Sequence, residues 1–328
     1  MKKFLANVLL FIPFLLTSYF IFLIAWGSFA PGHLRKNLIY GIGGYANMYS
    51  RICEAKKMHN VDILFLGASH TYRGFDPRIF KAYGYNTFNL GSPNQTPLQT
   101  EILLERYLSN LNPKLIIYEV HPWPFLLDGV ESALDLLAND KIDMSSVKMA
   151  LTLNNVKAYN TLIYSWYRQL FDLDNGFKEE MKKEDDTYIS GGYVEKKLSF
   201  NSPEAEKKEE IPVTLAHWKP KAYQLIAFER ILKIIKDKNI EMVFVQAPVT
   251  KMVFNVFDGN DKFDAFISSK TDHYINFNYL MKLDDSLDFF DSHHLNQQGV
   301  RVFNEALLKG KETQLHNKVL MTHASFKK

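Results

Sequence analysis

Apolar runs of strand length that alternate with stretches of helical periodicity constrain this chain more than any other feature. "VDILFLGAS" (residues 61–69) is nearly unbroken in its apolar character and ends in small residues. "YNTFNLGSPNQTP" (85–97) is a second run that ends in a turn rich in Gly, Ser, Pro and Asn. "KLIIYEVHPWPF" (114–125) is a third, running into prolines, and "EMVFVQAPV" (241–249) a fourth. Between them, leucines at 98, 103, 104, 108 and 111 have helical spacing closed by Pro113, and "AYQLIAFERILKIIKDKN" (222–239) is again helical. A strand apolar along its whole length is covered on both faces, which is the habit of parallel sheets with helical crossovers. The pattern therefore predicts an α/β fold, a parallel sheet with covering helices. A further helix and a short strand lead to "LDFFDSHHLNQQG".

The N-terminus carries a separate signal. Lys2 and Lys3 precede an uncharged run over residues 4–26. A helix rises about 1.5 Å per residue, so this one is long enough to cross a hydrocarbon core of about 30 Å. Signal-peptide cores are usually about 7–15 residues, so the length favours an uncleaved anchor, although Ser28-Phe29-Ala30 resembles a cleavage site. Pro13 can kink such a helix without forbidding it. Lys2 and Lys3 compete with Arg35, Lys36 and Arg51 over orientation. The cytoplasmic N-terminus and extracytoplasmic domain expected here follow from the downstream chemistry rather than from charge.

Composition excludes several classes. The chain has 39 basic and 36 acidic residues, a net charge of +3, so charge gives no nucleic-acid footprint. With Cys53 alone, no disulfide can form within the chain, and a Cys-based metal site is not expected. No metal cluster is visible, since His293, His294 and Asp291 make a thin ligand set, and no cofactor is expected. The expected organisation is a transmembrane anchor (1–30), one α/β domain (31–310) and a polar, loose tail (311–328). Within the domain, 60–125 and 215–310 form the core and 126–214 an insertion. Residues 126–175 read as amphipathic helices. Residues 178–210, with "KEEMKKEDD" and "EAEKKEE" around an "SGGY" turn, read as a mobile, solvated insertion.

In a doubly wound sheet, functional residues gather at the carboxyl ends of the strands. The first strand brings Ser69 there, the second Asn89 to Gln95, the third His121 and Trp123, and the last short strand Asp291 and His294. A serine on a tight turn kept open by Gly67 and Ala68, a histidine, and a carboxylate three residues before it are the parts of a nucleophilic hydrolase. Simpler roles exist for each: a capping serine, a helix-cap acid and a surface histidine. His293 is an alternative base. His70 is adjacent to Ser69, but neighbours on a turn usually diverge.

These motifs resemble the SGNH (GDSL-type) hydrolases. "LFLGASH" looks like the first block, with Ala68 where Asp is usual. "FNLGSPNQT" looks like the second block, and "DSHHLNQQG" is similar to the fifth, in matching order. The resemblance covers roughly residues 60–125 and 215–310. It implies a flavodoxin-like three-layer α/β fold with Ser69 as nucleophile, His294 as general base and Asp291 as its orienter. For the oxyanion hole it implies backbone N–H donors at Ser69 and at Asn94, which falls where the family has glycine; Gly91 reads instead as a backbone-conformation residue. The third block is absent, and His121-Pro122-Trp123-Pro124 stands in its place. The side chain of Asn94, His121 or the Trp123 indole is available to replace its amide donor, while Arg73 and Trp123 could line a carbohydrate or acyl-donor groove.

The anchor, the degenerate first block and "HPWPF" look like the family's extracytoplasmic envelope members, such as the teichoic-acid D-alanylation and polysaccharide O-acetylation proteins. That resemblance implies a membrane-anchored acyl-esterase or acyltransferase acting on cell-envelope polysaccharide. Its partners would be an acylated glycan or acyl donor and a multi-pass membrane acyltransferase, with no nucleic acid. The competing reading is a catalytically inactive member of the fold that binds glycan or scaffolds an envelope acylation complex. A third is an intracellular-facing, membrane-tethered binding domain.

Overall fold

The computed structural model describes residues 1–197 and 217–310. The expected loose tail and the "EAEKKEE" half of the charged insertion lie outside the described residues. Among the described residues there are eight strands: β1 (Ile63–Leu66), β2 (Thr87–Asn89), β3 (Leu115–Glu119), β4 (Lys182–Lys183), β5 (Asp186–Ile189), β6 (Tyr193–Lys196), β7 (Glu241–Gln246) and β8 (Tyr274–Asn276). Five of them form one sheet in the order β2-β1-β3-β7-β8, every pair parallel. All residues of β1 and β3 are buried, as expected of nearly continuous apolar runs; the exception in type is Glu119 at the end of β3.

Alternation along the strands divides the core into two faces. On one face Ile63, Phe65, Ile117, Val243 and Val245 meet Phe75, Phe80, Val300 and Phe303. Phe65 stacks on Phe75 at 4.5 Å and meets Phe80 edge-on at 4.9 Å. On the other face Tyr118 and Phe244 pack against Phe228 of the helix Ala222–Asp237, which lies beside the helix Pro97–Leu111. The result is a three-layer α/β fold with flavodoxin-like strand order. The chain leaves β1 for β2 on one side and returns to β3 on the other, so strand order reverses between β1 and β3. In open α/β sheets such a reversal, at the strands' carboxyl ends, is where ligands bind.

The segment expected to be a mobile, charged insertion differs from that expectation over residues 182–196. Here β4, β5 and β6 form a second, antiparallel sheet. Tyr193 and Val194 are buried, and the Asn89 N–H donates to the Gly191 carbonyl at 2.9 Å. Gly191 and Gly192 both have positive φ, and a Cβ on Gly192 would lie 2.3 Å from the Asn89 carbonyl oxygen. The "SGGY" turn is thus a close backbone contact, and its charged flanks are the outer residues of a hairpin. The expected last strand carrying Asp291 and His294 is also different. Those residues sit on a loop closed by one antiparallel bridge, Phe289 to Leu295, and followed by the helix Gln297–Lys309.

By contacts the chain divides into Met1–Ile42 with Ala133–Lys178, and Gly43–Ser132 with Glu179–Lys328. The sheet belongs to the second unit. The first holds the helix α1 (Lys2–Phe29), long and apolar enough to span a membrane, and the helices Met144–Leu153 and Val156–Leu170.

Candidate active site

The strand β1 ends at Leu66, and the turn that follows is possible only because residue 67 is glycine. Its φ is +138°, and a Cβ there would lie 2.2 Å from Thr71 Oγ1 and 2.6 Å from the Glu119 carbonyl oxygen. Ser69 then opens the short helix Ser69–Gly74. A second tight contact supports this turn. A Cβ on Gly91 would lie 2.8 Å from the Ala68 carbonyl oxygen, and the Asn89 side chain donates to the Thr71 carbonyl at 2.7 Å. The β1 and β2 turns are therefore locked to each other.

His294 comes to Ser69 from 225 residues away, with Nε2 at 2.8 Å from Oγ. Its Nδ1 lies 2.9 and 2.8 Å from the two oxygens of Asp291. Asp291 is held in turn by main-chain N–H groups: Oδ1 accepts from His293 at 2.8 Å and from His294 at 2.7 Å. Burial alone would raise the Asp291 pKa. The opposing charge and hydrogen bond of His294, with the two main-chain bonds, prevail and bring it down to about 2. The carboxylate is thus ionised at neutral pH and fixes the Nδ1 proton, which leaves Nε2 to accept from Ser69. Ser69, Asp291 and His294 are only partly buried, so a ligand can reach them.

The other histidines take different places. His70, the neighbour of Ser69, stacks on His294 at 5.2 Å and on His121 at 4.6 Å. Among the described residues neither of its ring nitrogens reaches a hydrogen-bond partner at normal distance, although the His293 main chain lies near enough to favour its protonated form slightly. Burial first, then the neighbouring imidazoles, hold His70 and His121 well below the ordinary histidine range. Both are neutral rings at neutral pH, so a proton arriving on His294 meets no neighbouring cation from them. His121 caps the helix Pro122–Leu126, its Nδ1 accepting from the Trp123 N–H at 3.4 Å. The Trp123 indole N–H is buried without a hydrogen-bond partner among the described residues.

Asn94 has the left-handed backbone that its place in the motif requires, with φ +48°. Its side chain is exposed and donates to Glu131 at 3.0 Å, so that amide is engaged at the surface. The Gly91 N–H is also occupied, by Asn89 Oδ1 at 2.9 Å. The Ser69 N–H, at the first position of a helix, has no intrahelical acceptor. Arg73 forms a two-pronged ion pair with Asp186 of β5, at 2.9 and 2.8 Å.

Sequence reasoning missed Phe290, the hairpin residues Asp186 and Lys196, and Glu119. Phe290 stacks on His294 at 5.5 Å, nearly parallel, and Arg73 and Lys196 both lie over its ring. The hairpin thus supplies Asp186 and Lys196 to the surroundings of His294. Glu119, at the end of β3, is 2% exposed; burial pushes its carboxyl up to about 8, only partly offset by the Ala247 N–H at 3.4 Å. The β-branched and aromatic residues of "DTYI" and "YVEK" on either side of the Gly-Gly turn were the available signal for the hairpin. Among the described residues no group of histidine, cysteine and carboxylate side chains is arranged to hold a metal ion.

No protein-family model and no curated protein matches the chain. Solved structures similar to it include two from Bacteroides species. One is a Bacteroides fragilis protein provisionally assigned as an acylhydrolase, at 11% identity over 83% of this chain and 98% of that one, with a TM-score of 0.40. The other is a GDSL-like lipase from Bacteroides thetaiotaomicron, at 12% identity over 82% of this chain and 98% of that one, with a TM-score of 0.38.

Proposed function

We propose that this protein is a membrane-anchored serine acyl-esterase or acyltransferase that acts on ester-linked acyl groups of cell-envelope polysaccharide, its α/β domain on the extracytoplasmic side. The observation that carries the reading is the continuous hydrogen-bonded line from Ser69 Oγ through His294 to Asp291. In the first step Ser69 Oγ attacks the ester carbonyl while its proton passes to His294 Nε2. The tetrahedral oxyanion is met by the Ser69 N–H, with the Asn94 N–H and the Trp123 indole as the further donors this reading assigns. Collapse expels the alcohol, which takes the proton from His294, and leaves an acyl ester on Ser69. Water or a glycan hydroxyl then gives its proton to His294 and takes the acyl group, restoring Ser69. A multi-pass membrane acyltransferase is the partner that would supply or consume such acyl groups.

Incubating the purified full-length chain with O-acetylated polysaccharide tests the substrate class. Acetate release, or transfer to an added glycan, is expected from the wild type and not from Ser69→Ala. The engagement of the Asn94 amide by Glu131 favours a second reading, a glycan-binding protein without turnover. That reading expects Ser69→Ala to retain glycan binding and full function in cells.

A further inference from the structure

The helix α1 has two environments along its length. Every described side chain in residues 4–19 is exposed. From Phe20 a buried or half-buried stripe begins, at Phe20, Leu23, Ile24 and Gly27, spaced as one helical face. The helix Val156–Leu170 covers that stripe. The Phe20 ring meets Trp166 edge-on at 6.0 Å, Leu23 packs with Tyr164, and a Cβ on Gly27 would lie 2.4 Å from the Tyr164 ring. The Tyr19 hydroxyl donates to Asn160 Oδ1 at 2.6 Å, and Asn160 donates to the Asn37 carbonyl at 2.9 Å.

The change at residues 19–20 falls within about one turn of the bilayer's own dimension. A hydrocarbon core of about 30 Å takes about 20 helical residues, which from Phe4 ends near Leu23. The polar Tyr19–Asn160–Asn37 chain is the kind of structure that begins where hydrocarbon gives way to headgroups. Trp166 therefore stands at the level of the membrane surface, where tryptophan's amphipathic ring is favoured. It is 46% exposed, and Leu170, one turn on, and Phe171 are 59% and 62% exposed. Three large apolar side chains are thus left bare beside the end of the spanning stretch.

We propose that the helix Val156–Leu170 lies on the lipid bilayer where α1 leaves it, with Trp166, Leu170 and Phe171 seated in the boundary between headgroups and acyl chains. The proposal rests on α1 spanning the membrane. Lipid is the favoured occupant because the patch is continuous with the lipid-exposed length of α1 through the Phe20–Trp166 contact. The consequence is a helix fixed by two contacts with the membrane rather than hanging from a single tether.

The test uses the full-length chain in vesicles of phosphatidylcholine and phosphatidylglycerol containing nitroxide lipids, labelled either near the headgroup or near the tail end. A variant retaining only Trp166, made by Trp26→Phe, Trp123→Phe and Trp218→Phe, reports the depth of the patch. Phe14→Trp, in a background with all four tryptophans replaced, reports α1. The expected result is quenching of Trp166 by about twofold or more with the shallow label and less with the deep one, together with deep quenching at Phe14→Trp. Deep quenching at Phe14→Trp with no quenching of Trp166 overturns this proposal and leaves the anchor standing. Stronger quenching of Trp166 by the deep label than by the shallow one also overturns it. Quenching at neither position overturns both. Should the triple variant fail to fold, a fluorophore on Leu170→Cys in a Cys53→Ser background reads the same depth with the same lipids and the same outcomes.

Discussion

Replacing Asp291 by asparagine removes one charge and almost no volume, so its effect follows from the geometry around His294. The main-chain N–H groups of His293 and His294 both donate to Oδ1. In Asp291→Asn the amide oxygen must occupy that place, because an NH2 there would face two donors. The NH2 then takes the place of Oδ2, 2.8 Å from His294 Nδ1. Nδ1 must become an acceptor, the ring proton moves to Nε2, and His294 donates to Ser69 where it has to accept. The charge adds a second loss. The depression of Asp291 from 3.8 to about 2 corresponds to about 2 kcal/mol. With 27% of the side chain exposed, solvent screening leaves about 1–2 kcal/mol. Tautomer and charge together should lower kcat about 10³–10⁴-fold, as triad geometry implies. Hydrolysis of p-nitrophenyl acetate measures this, with circular dichroism confirming the fold. A kcat within about tenfold of the wild type would refute the assignment of Asp291 as the group that orients the base.

Four further outcomes follow from named groups. Because the folded pKa of Asp291 lies below its unfolded value, its contribution to stability is present above about pH 4 and is lost as pH falls toward 2; urea midpoints should show that slope, flattened in Asp291→Asn. Glu119 has the opposite sign, its folded pKa raised to about 8, so stability falls as pH rises from about 4.5 toward 8. Glu119→Gln should therefore raise stability by about 3 kcal/mol at pH 7 and leave it nearly unchanged at pH 4.5, read as a pH-dependent gap between the two melting curves. His70→Phe keeps a ring stacked on His294 and should retain activity within about fivefold, whereas a loss matching that of Ser69→Ala would make His70 the base. Gly67→Ala forces a Cβ against Thr71 and the Glu119 carbonyl and should cost about 3 kcal/mol or more, visible as a lowered urea midpoint.

The parallel sheet was legible because strands buried on both faces are nearly continuous apolar runs, as β1 is and β3 is up to Glu119. Ser69 and the pair Asp291 and His294 were legible because each stands at a turn beside an apolar element, and the strand-order reversal brings such turns together. The hairpin was hidden by its own chemistry. The lysines and acids that dominate β4 to β6 swamp the signal of Tyr193 and Val194, which are buried. Asn94 shows a different limit. Its backbone conformation could be read from residue type, but the engagement of its side chain by Glu131 depends on a helix start far along the chain. Phe290 and Glu119 were illegible for the same reason. An aromatic and an acid beside apolar residues gain meaning only from what packs on them, here His294 for one and the Gly67 turn for the other.

The central claim is that Ser69 is a nucleophile made reactive by His294. Mass mapping of the adduct formed with a fluorophosphonate probe on the purified full-length protein tests it most directly. The account predicts a single phosphonylated peptide, modified at Ser69, whose rate of formation falls at least about 10³-fold in His294→Ala while that variant stays folded. An adduct at another serine, or no adduct on folded wild-type protein, would contradict it.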